Sequence, residues 1–296
     1  MSVIVTLVSS SPDKPVAERH IGEVSHILDH HNIQFTCAPV WLAPGKAVDL
    51  GVSDAPHGAT MTHITDFLGK TGIDVFVTDP DRRRKKLLLA DMDSTIVDAE
   101  TLDELADYAG LKEKIGAITA LAMEGKLDFN GALRERVGLL KDLNIEAMHK
   151  TLERMKLNPG AMSLIKTMKK GGAKCVLVSG GFTFFTGAIA KQVGFDTHHG
   201  NTLEIHNDKL TGKVIEPILD KFAKADYLRT YVRDMKIKPE DVMAIGDGAN
   251  DIPMLKAAGL GIGYKPKDAV KKEIDNLIIH GDLTAALYAQ GYTTIL

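Results

Sequence analysis

Residues 87–95 read Leu-Leu-Leu-Ala-Asp-Met-Asp-Ser-Thr, and this stretch decides the fold. The apolar run Leu87–Ala90 is followed at once by two carboxylates, Asp91 and Asp93. A short apolar run that ends in polar residues is typical of a parallel strand buried on both faces. We therefore predict a buried strand at Leu87–Ala90 with a polar site directly after it.

Similar apolar runs recur further along the chain, separated by stretches with helical periodicity. The predicted strands are Cys175–Val178, Val242–Ile245, Leu260–Ile262 and Leu277–Ile279. An alternation of strands and helices predicts an α/β fold with a doubly wound parallel sheet. In such sheets ligands bind beyond the carboxyl ends of the strands, so the residues after each strand are the candidates for function.

A wholly helical insertion separates the first two of these strands. Thr101 with Glu104 three residues later fits a capping box at the start of its first helix, and Gly110 ends that helix. Further helices are predicted at Glu113–Gly125, Phe129–Leu140 and Ile145–Met155. Residues 99–159 are thus predicted to form a helical-bundle cap inserted into the α/β core.

The residues before this core have a different pattern. Strands are predicted at Val3–Val8, Gln34–Trp41, Ala47–Val52 and Asp74–Thr78, and helices at Val16–His31 and His57–Lys70. The order βαββαβ predicts a ferredoxin-like or ACT-like α+β module. We therefore divide the chain into an N-terminal domain at 1–80, a catalytic core at 81–98 and 160–296, and the cap at 99–159.

The composition indicates a globular protein that binds neither nucleic acid nor membranes. Of 296 residues, 44% are hydrophobic and 25% charged, and the formal net charge is −3. The basic run at 82–86 is too compact to form the broad cationic face of a nucleic-acid-binding protein. With two cysteines, no basic leader and no long uncharged apolar run, we expect a cytoplasmic protein.

The first strand end carries the chemistry of a phosphoryl-transfer site. The carboxylate of Asp91 could attack phosphorus to form an aspartyl-phosphate. Asp93 could protonate the leaving alkoxide and later deprotonate water, a role that suits a carboxyl group with a raised pKa. A turn or an incidental cation site is the alternative interpretation of this motif alone.

Two further motifs could hold a phosphate group. Ser179-Gly180-Gly181 follows the second core strand, so a hydroxyl and flexible backbone amides meet there, although such a triplet is also a common turn. Lys224 lies on a predicted helix and could neutralise a phosphoryl group. The spacing by itself does not distinguish Lys224 from Lys221.

The fourth motif is an acidic, glycine-rich strand end at residues 246–251, Gly-Asp-Gly-Ala-Asn-Asp. Mg²⁺ prefers oxygen ligands and keeps several waters. Asp91, the backbone carbonyl of Asp93, and Asp247 would form a fitting partial shell. Mn²⁺ accepts the same oxygen ligands, so the sequence does not separate the two ions.

The four motifs in this order resemble the haloacid dehalogenase superfamily, and the helical insertion resembles its cap. Finer features resemble the phosphoserine phosphatases within that superfamily. They are the stretches at 91–100, 122–129 and 133–137. The likeness covers residues from about 87 to 290.

This resemblance implies a Mg²⁺-dependent hydrolysis of O-phospho-L-serine to L-serine and phosphate through an aspartyl-phosphate, the last step of serine biosynthesis. It implies that Asp91 is the nucleophile and Asp93 the acid/base. The implied metal ligands are Asp91, Asp93 and Asp247. The implied substrate-binding residues are Glu100, Arg136, Ser179, Gly180, Lys224 and Asn250, with Asp251 supporting Lys224 and the metal shell.

Two of these residues also make physical sense by themselves. A phosphorylated amino acid presents an ammonium and a carboxylate, which call for an anion such as Glu100 and a guanidinium such as Arg136. The alternatives are a phosphatase for another small phosphomonoester and a regulatory binding module with an inactive core. A regulatory serine at the N-terminal domain and a homodimer are left open by the sequence.

Overall fold

The computed structural model describes residues 3–123 and 128–296. The N-terminal part forms a four-stranded antiparallel sheet in the order β2-β3-β1-β4, with two helices. Its elements are β1 (Val3–Val8), α1 (Glu18–Asp29), β2 (Val40–Ala43), β3 (Ala47–Val52), α2 (Ala59–Thr71) and β4 (Asp74–Thr78). The βαββαβ order predicted for this part is confirmed. None of the helices among the described residues is long and apolar enough to cross a bilayer.

The predicted second strand was placed too early in the chain. We expected it at Gln34–Trp41, but β2 begins at Val40. Phe35 makes only an isolated bridge to Val52. Pro39 lacks an N–H group, so the chain cannot continue a hydrogen-bonded ladder through that position.

The central sheet has seven strands in the order β11-β10-β9-β5-β6-β7-β8. Its pairs are parallel except for the β7–β8 hairpin. The strands are β5 (Leu87–Ala90), β6 (Lys174–Phe182), β7 (Thr197–His206), β8 (Lys209–Ile215), β9 (Val242–Gly246), β10 (Leu260–Tyr264) and β11 (Asn276–Ile278). The prediction of a doubly wound α/β sheet is confirmed.

The helices of this part follow the strands in alternation. They are α7 (Ala161–Lys170), α8 (Thr183–Val193), α9 (Lys221–Asp234), α10 (Ile252–Ala257), α11 (Asp268–Lys271) and α12 (Ala285–Ala289). Strand β5 lies at the centre, and its residues feed a hydrophobic cluster on each face: Leu88 and Ala90 on one, Leu87 and Leu89 on the other. This two-sided burial explains why the run is apolar without alternation.

Strand β5 also marks the point where the strand order reverses. Strand β6 pairs with one of its edges and β9 with the other. In open α/β sheets the ligand crevice opens at this reversal, beyond the carboxyl ends of the strands. The crevice here therefore lies over the residues that follow β5, β6 and β9.

Between β5 and the core helix α7, the described residues form four helices, which make up the predicted insertion. They are α3 (Thr101–Tyr108), α4 (Lys112–Met123), α5 (Phe129–Gly138) and α6 (Glu146–Arg154). The central part of the family-like stretch at 122–129, residues 124–127, lies outside the described residues. The predicted capping box is wrong: the N-cap of α3 is Glu100, and Thr101 is the first helical residue. The Thr101 side chain instead lies near Asp93, where both approach the Cβ position of Gly181.

The N-terminal sheet is fixed to the central sheet through the edge of β4. The Asp74 carboxylate accepts hydrogen bonds from the backbone N–H groups of Ile279, His280 and Gly281 at 3.0, 3.1 and 2.8 Å. The Asn276 side chain accepts from the N–H of Val77 at 2.8 Å. The N-terminal module therefore shares a polar seam with the strand β11 and the loop after it.

Candidate active site

Side chains from the ends of β5 and β9 and from helix α9 meet in the predicted crevice. Lys224, on the first turn of α9, donates hydrogen bonds to Asp91 Oδ1 at 2.7 Å and to Asp251 Oδ1 at 2.6 Å. The side chains of Lys224 and Asp251 are 1% and 0% exposed, so these contacts are shielded from water. The Asp220 side chain caps α9 and orients the turn that carries Lys224.

Burial perturbs the charges of this group strongly. Burial raises the pKa of Asp91 well above its ordinary value, and the nearby Asp251 carboxylate adds to that rise against the opposing effect of Lys224. Burial would lower the pKa of Lys224, but Asp251 and Asp91 together raise it above its ordinary value. Lys224 is therefore a permanent cation, and an ionised Asp91 needs further positive charge nearby.

Asp93 has a separate environment two residues further along. Its carboxylate accepts from the backbone N–H of Thr101 at 3.0 Å and from the Ser179 hydroxyl at 3.2 Å. Burial raises the pKa of Asp93 to about 6, with a further contribution from Glu100, while hydrogen bonds from Thr101 and Ser179 oppose the rise. A carboxyl group with this pKa can exchange a proton near neutral pH.

The carboxyl-terminal part of β6, Ser179–Gly181, leaves the regular ladder with β7 and forms a tight loop beside Asp93. The hydroxyl of Ser179 accepts a hydrogen bond from the N–H of Gly181 at 2.8 Å. A Cβ atom on Gly181 would lie 3.0 Å from Asp93 Oδ2 and 3.0 Å from Ser179 Oγ, so a side chain there would crowd the site. The cap residue Phe129 lies 3.6 Å from the corresponding Cβ position of Gly180. The cap therefore comes close to this loop.

Asn201 supports the loop and was missed by the sequence analysis. This buried side chain donates to the Gly180 carbonyl at 2.8 Å and accepts from the N–H of Leu219 at 2.7 Å. It lies on β7, where no motif surrounds it. The sequence signal that could have identified it is an amide side chain in an otherwise strand-like segment next to Gly200.

The carboxylates in the crevice form a candidate cation site. Oxygen atoms of Asp91, Asp247 and Asp251 lie within 4.8 Å of one another. Burial raises the pKa of Asp247, as it does that of Asp91. Buried anions at this spacing suit a divalent cation with oxygen ligands. The residues present thus fit the ion that the sequence predicted, with Asp251 in the cluster as well.

Asp93, the remaining predicted metal ligand, contributes no carboxylate oxygen to this cluster. Its carboxylate does not belong to the three-residue cluster and is directed to Thr101 and Ser179. This agrees with a contribution from its backbone carbonyl alone. Asn250 lies at the edge of the cluster, where its amide is 3.5 Å from Asp251 Oδ1.

The glycines around Asp247 are needed for close packing. Asp251 accepts from the N–H groups of Asp247 and Gly248 at 3.2 and 3.0 Å. A Cβ atom on Gly246 would lie 2.5 Å from Asp251 Cγ, which is sterically impossible without a shift. The glycine-rich sequence therefore lets the Asp251 carboxylate sit under the loop.

Glu100 lies at the exposed rim of the crevice and has two donors. Ser94, whose φ of 55° is left-handed, donates its hydroxyl to Glu100 Oε1 at 2.9 Å. Lys267 approaches the same oxygen at 3.3 Å and Asp247 Oδ2 at 3.1 Å. Lys267 was not singled out from the sequence, because a lysine in a polar loop is usually an ordinary surface residue.

Arg136 is half-buried on the cap helix α5. Its Nε donates to the Ala132 carbonyl at 3.1 Å, and one terminal nitrogen is 3.4 Å from Thr119 Oγ1. Burial lowers the pKa of Arg136, while the carboxylates of Asp103 and Glu100 raise it. The Arg136 guanidinium is thus close enough to the Glu100 carboxylate for the two charges to interact. Arg134, on the same helix, is exposed and pairs with Glu216 at 2.6 Å.

Comparisons with known proteins agree with this geometry. Residues 88–256 match the family model of the haloacid dehalogenase-like hydrolases. A phosphoserine phosphatase of Archaeoglobus fulgidus is 40% identical over 233 residues, which cover 78% of this chain and 67% of that protein. A phosphoserine phosphatase of Methanocaldococcus jannaschii is 43% identical over 205 residues, covering 69% of this chain and 97% of that protein.

Solved structures are similar in fold as well. A HAD family hydrolase of Salmonella enterica serovar Typhi superposes with a TM-score of 0.83 at 28% identity, covering 98% of each chain. A phosphoserine phosphatase structure described as a phospho-aspartyl intermediate analogue has a TM-score of 0.65 at 43% identity, covering 69% of this chain and 98% of that chain. The larger match includes the N-terminal module, and the smaller one covers a shorter protein almost completely.

Proposed function

The chain belongs to the haloacid dehalogenase-like hydrolases and, among them, to the phosphoserine phosphatases, and from this premise we propose how its residues hydrolyse O-phospho-L-serine. The observation that carries the proposal is the buried contact between Lys224 Nζ and Asp91 Oδ1 at 2.7 Å. It combines a carboxylate suited to attack with a cation that can neutralise the phosphoryl group.

In the first step, Asp91 is the nucleophile. One of its carboxylate oxygens forms a bond to phosphorus while the bond between phosphorus and the serine oxygen breaks. Asp93 gives its proton to the departing serine oxygen, so that serine leaves as a neutral alcohol. The pKa of about 6 for Asp93 supports this role because the protonated form is accessible.

In the second step, water replaces serine. Asp93, now ionised, takes a proton from the attacking water, whose oxygen forms a bond to phosphorus. The bond between phosphorus and Asp91 then breaks, which restores the carboxylate and releases inorganic phosphate. The two steps use Asp93 first as an acid and then as a base.

The phosphate group is held by residues from three elements. Ser179 and Gly180 offer a hydroxyl and a backbone amide at the carboxyl-terminal end of β6, and Lys224 offers its ammonium. Asn250 offers an amide at the edge of the carboxylate cluster. Asp251 keeps Lys224 in place through its 2.6 Å contact.

The metal is proposed to be Mg²⁺, held by Asp91, the backbone carbonyl of Asp93, and Asp247, with Asp251 in the surrounding shell. When bound, the ion supplies positive charge that keeps Asp91 ionised and stabilises charge on the transferring group. The close spacing of these acidic oxygens supports the proposal. Mn²⁺ has the same ligand preference and is the alternative ion.

Glu100 and Arg136 are proposed to recognise the ammonium and carboxylate of the substrate. Glu100 lies at the rim of the crevice. Arg136 lies on the cap helix α5, and the Glu100 carboxylate raises the pKa of its guanidinium. Ser94 orients Glu100 with a 2.9 Å hydrogen bond. This pair would favour phosphoserine over phosphomonoesters that lack an amino-acid group.

The proposed division is an N-terminal domain at 1–80, a core at 81–98 and 160–296, and a cap at 99–159. The ferredoxin-like sheet of the first unit is the proposed site for a regulatory serine. A homodimer remains a prediction that size-exclusion chromatography with light scattering can test. Both cysteines are free, which fits the proposed cytoplasmic location.

The test is phosphate release from L-phosphoserine and a panel of small phosphomonoesters, with Mg²⁺ and with EDTA, for wild type and Asp91→Asn. We expect a strong preference for phosphoserine that is lost with EDTA and with Asp91→Asn. Metal-dependent activity that prefers another ester would refute the roles of Glu100 and Arg136. Full activity of Asp91→Asn would refute the mechanism itself.

A further inference from the structure

Thr101 links the cap to the proposed acid/base. It is the first residue of α3, which begins the cap, and its backbone N–H donates to Asp93 Oδ1 at 3.0 Å. Its hydroxyl lies beside the same carboxyl group, since a Cβ atom on Gly181 would be 3.1 Å from Thr101 Oγ1 and 3.0 Å from Asp93 Oδ2. One donor of this buried residue, 1% exposed, thus binds the Asp93 carboxyl group, and the other lies next to it.

The surroundings leave this hydroxyl little freedom. Thr101 Oγ1, Ser179 Oγ and Asp93 Oδ2 all lie 3.0–3.1 Å from the position where a Cβ atom of Gly181 would be. The three polar atoms therefore lie close together beside Ser179–Gly181, the segment proposed to hold the phosphate. The sequence pattern predicted that the Thr101 hydroxyl would cap α3, but α3 has no side-chain cap and the hydroxyl faces Asp93 instead.

This arrangement has a consequence for proton transfer. An acid must present its proton toward the leaving oxygen, and a misplacement of about 1 Å can cost about 100-fold in rate. Hydrogen bonds from Thr101 and Ser179 fix the rotation of the Asp93 carboxyl group from two sides. The Thr101 contact comes from the cap, whereas the Ser179 contact comes from the core.

We propose that Thr101 is a positioning residue, whose hydroxyl orients the Asp93 carboxyl group for proton transfer to the leaving serine. The proposal rests on the acid role of Asp93 given above. It makes acid catalysis depend on the position of the first cap helix. It predicts a defect that appears only when the leaving group needs a proton.

The experiment compares two substrates with different leaving groups. L-phosphoserine releases an alkoxide that requires protonation, whereas p-nitrophenyl phosphate releases a stable phenolate that does not. The rate of alcohol release in the first turnover is measured by rapid mixing with Mg²⁺, so that the later water step does not contribute. The variants are Thr101→Val, which removes the hydroxyl at nearly constant shape, and Thr101→Ser, which keeps it.

We expect Thr101→Val to slow serine release by about 10-fold, a part of the full effect of an acid catalyst. Release of p-nitrophenolate should change less than about 2-fold, and Thr101→Ser should behave like wild type. Equal slowing of both substrates would indicate a structural role only and overturn the proposal. No slowing of either would overturn it as well.

Asp93→Asn serves as the reference for the proposed function. If Asp93→Asn slows serine release selectively and Thr101→Val does not, the positioning role fails while the acid role stands. If Asp93→Asn lacks leaving-group dependence, the acid role itself fails. Thermal melting checks each variant for folding, and Thr101→Ala replaces Thr101→Val if the latter does not fold.

Discussion

Lys224 Nζ lies 2.7 Å from Asp91 Oδ1, and both side chains are almost completely buried. The ammonium also contacts Asp251 at 2.6 Å, so one cation holds two carboxylates that would otherwise repel each other. A buried pair of this kind contributes modestly to stability while it is intact, but removal of one partner leaves an uncompensated charge. The stability of the fold and the proposed catalysis therefore depend on the same lysine.

Lys224→Met should impair both properties. We expect a loss of unfolding free energy of about 3–5 kcal/mol in EDTA, because two buried carboxylates lose their cation. We also expect kcat for phosphoserine to fall by about 100-fold or more, as for loss of a charge-stabilising group. Urea unfolding and steady-state kinetics measure the two effects. Lys256→Met, which removes an exposed lysine paired with Glu273, is the control and should change neither quantity appreciably.

The proposed recognition of the substrate can be separated into its two halves. Arg136→Met should lower kcat/KM for phosphoserine by about 10- to 100-fold, since a hydrogen bond to a charged group is lost. It should change kcat/KM for O-phosphoethanolamine little, because that ester has no carboxylate. Glu100→Gln should weaken both substrates. Similar losses on both esters for Arg136→Met would contradict the assignment.

The metal site predicts a specific binding defect. Asp247→Asn should weaken Mg²⁺ binding at least about 10-fold, since even outer-shell partners contribute that much to metal affinity. Isothermal titration calorimetry with MgCl₂ in the absence of substrate measures this directly. Asp208→Asn, at the exposed turn of the β7–β8 hairpin, is the matched control. An unchanged affinity in Asp247→Asn would place the ion elsewhere.

The seam between the two sheets makes a prediction about stability. Asp74→Ala removes the acceptor for three backbone N–H groups. We expect a loss of about 2 kcal/mol, because the buried N–H of Gly281 is left without a partner and the part-buried N–H groups of Ile279 and His280 lose theirs. Thermal and urea unfolding measure the change, and cleavage by trypsin in the basic run at 82–86 should become faster. Asp81→Ala, which removes an exposed carboxylate directly before the basic run, should match wild type in both assays.

His199 predicts a pH dependence of stability. Its Nε2 is 2.8 Å from the Tyr231 hydroxyl, and its ring stacks on Tyr227, which places it against helix α9. Burial lowers the pKa of His199 below 6.5, with smaller contributions from His198 and Lys174. The unfolded chain therefore binds this proton more readily than the folded one, so stability is lost as the pH falls through and below about 6.5.

His199→Phe keeps an aromatic ring but cannot take up a proton. Between pH 7.5 and 5.5 we expect its melting temperature to fall less than that of wild type. His206→Phe, a change at the exposed end of β7, should retain the wild-type pH dependence. A parallel decrease in wild type and His199→Phe would show that His199 does not titrate in this range.

Much of the fold follows from local patterns in the sequence. The strand Leu87–Ala90 was predicted with its observed bounds because a run buried on both faces is apolar throughout. Cys175–Val178 was predicted too short, since β6 continues to Phe182 through the polar residues Ser179–Gly181. The ladder with β7 is irregular across these residues and resumes at Phe182, and Asn201 donates to the Gly180 carbonyl, which is tertiary information that a local pattern does not contain.

Part of the candidate site, like part of the fold, could be predicted from the sequence. Residues next to strand ends, such as Asp91 and Asp247, were identified because the sheet geometry brings those ends together. Lys224 required the family resemblance, since a helical lysine has no distinguishing pattern. The hydroxyl of Thr101 was assigned to a cap because the local pattern fits one. Its partner Asp93 is eight residues away and is brought near by the turn at Ser94.

The Asp74 contact limits which N-terminal segments can be joined to this catalytic segment. Gly281 approaches so closely that a Cβ atom there would lie 2.8 Å from Asp74 Oδ2, so a larger residue at 281 would displace the Asp74 carboxylate. A foreign module joined at residue 80 would have to supply a carboxylate at the same place, or three amides would stay unpaired. The N-terminal and catalytic segments of two relatives therefore cannot be exchanged freely. A chimaera should fold well only when Asp74 and residues 279–281 come from the same parent.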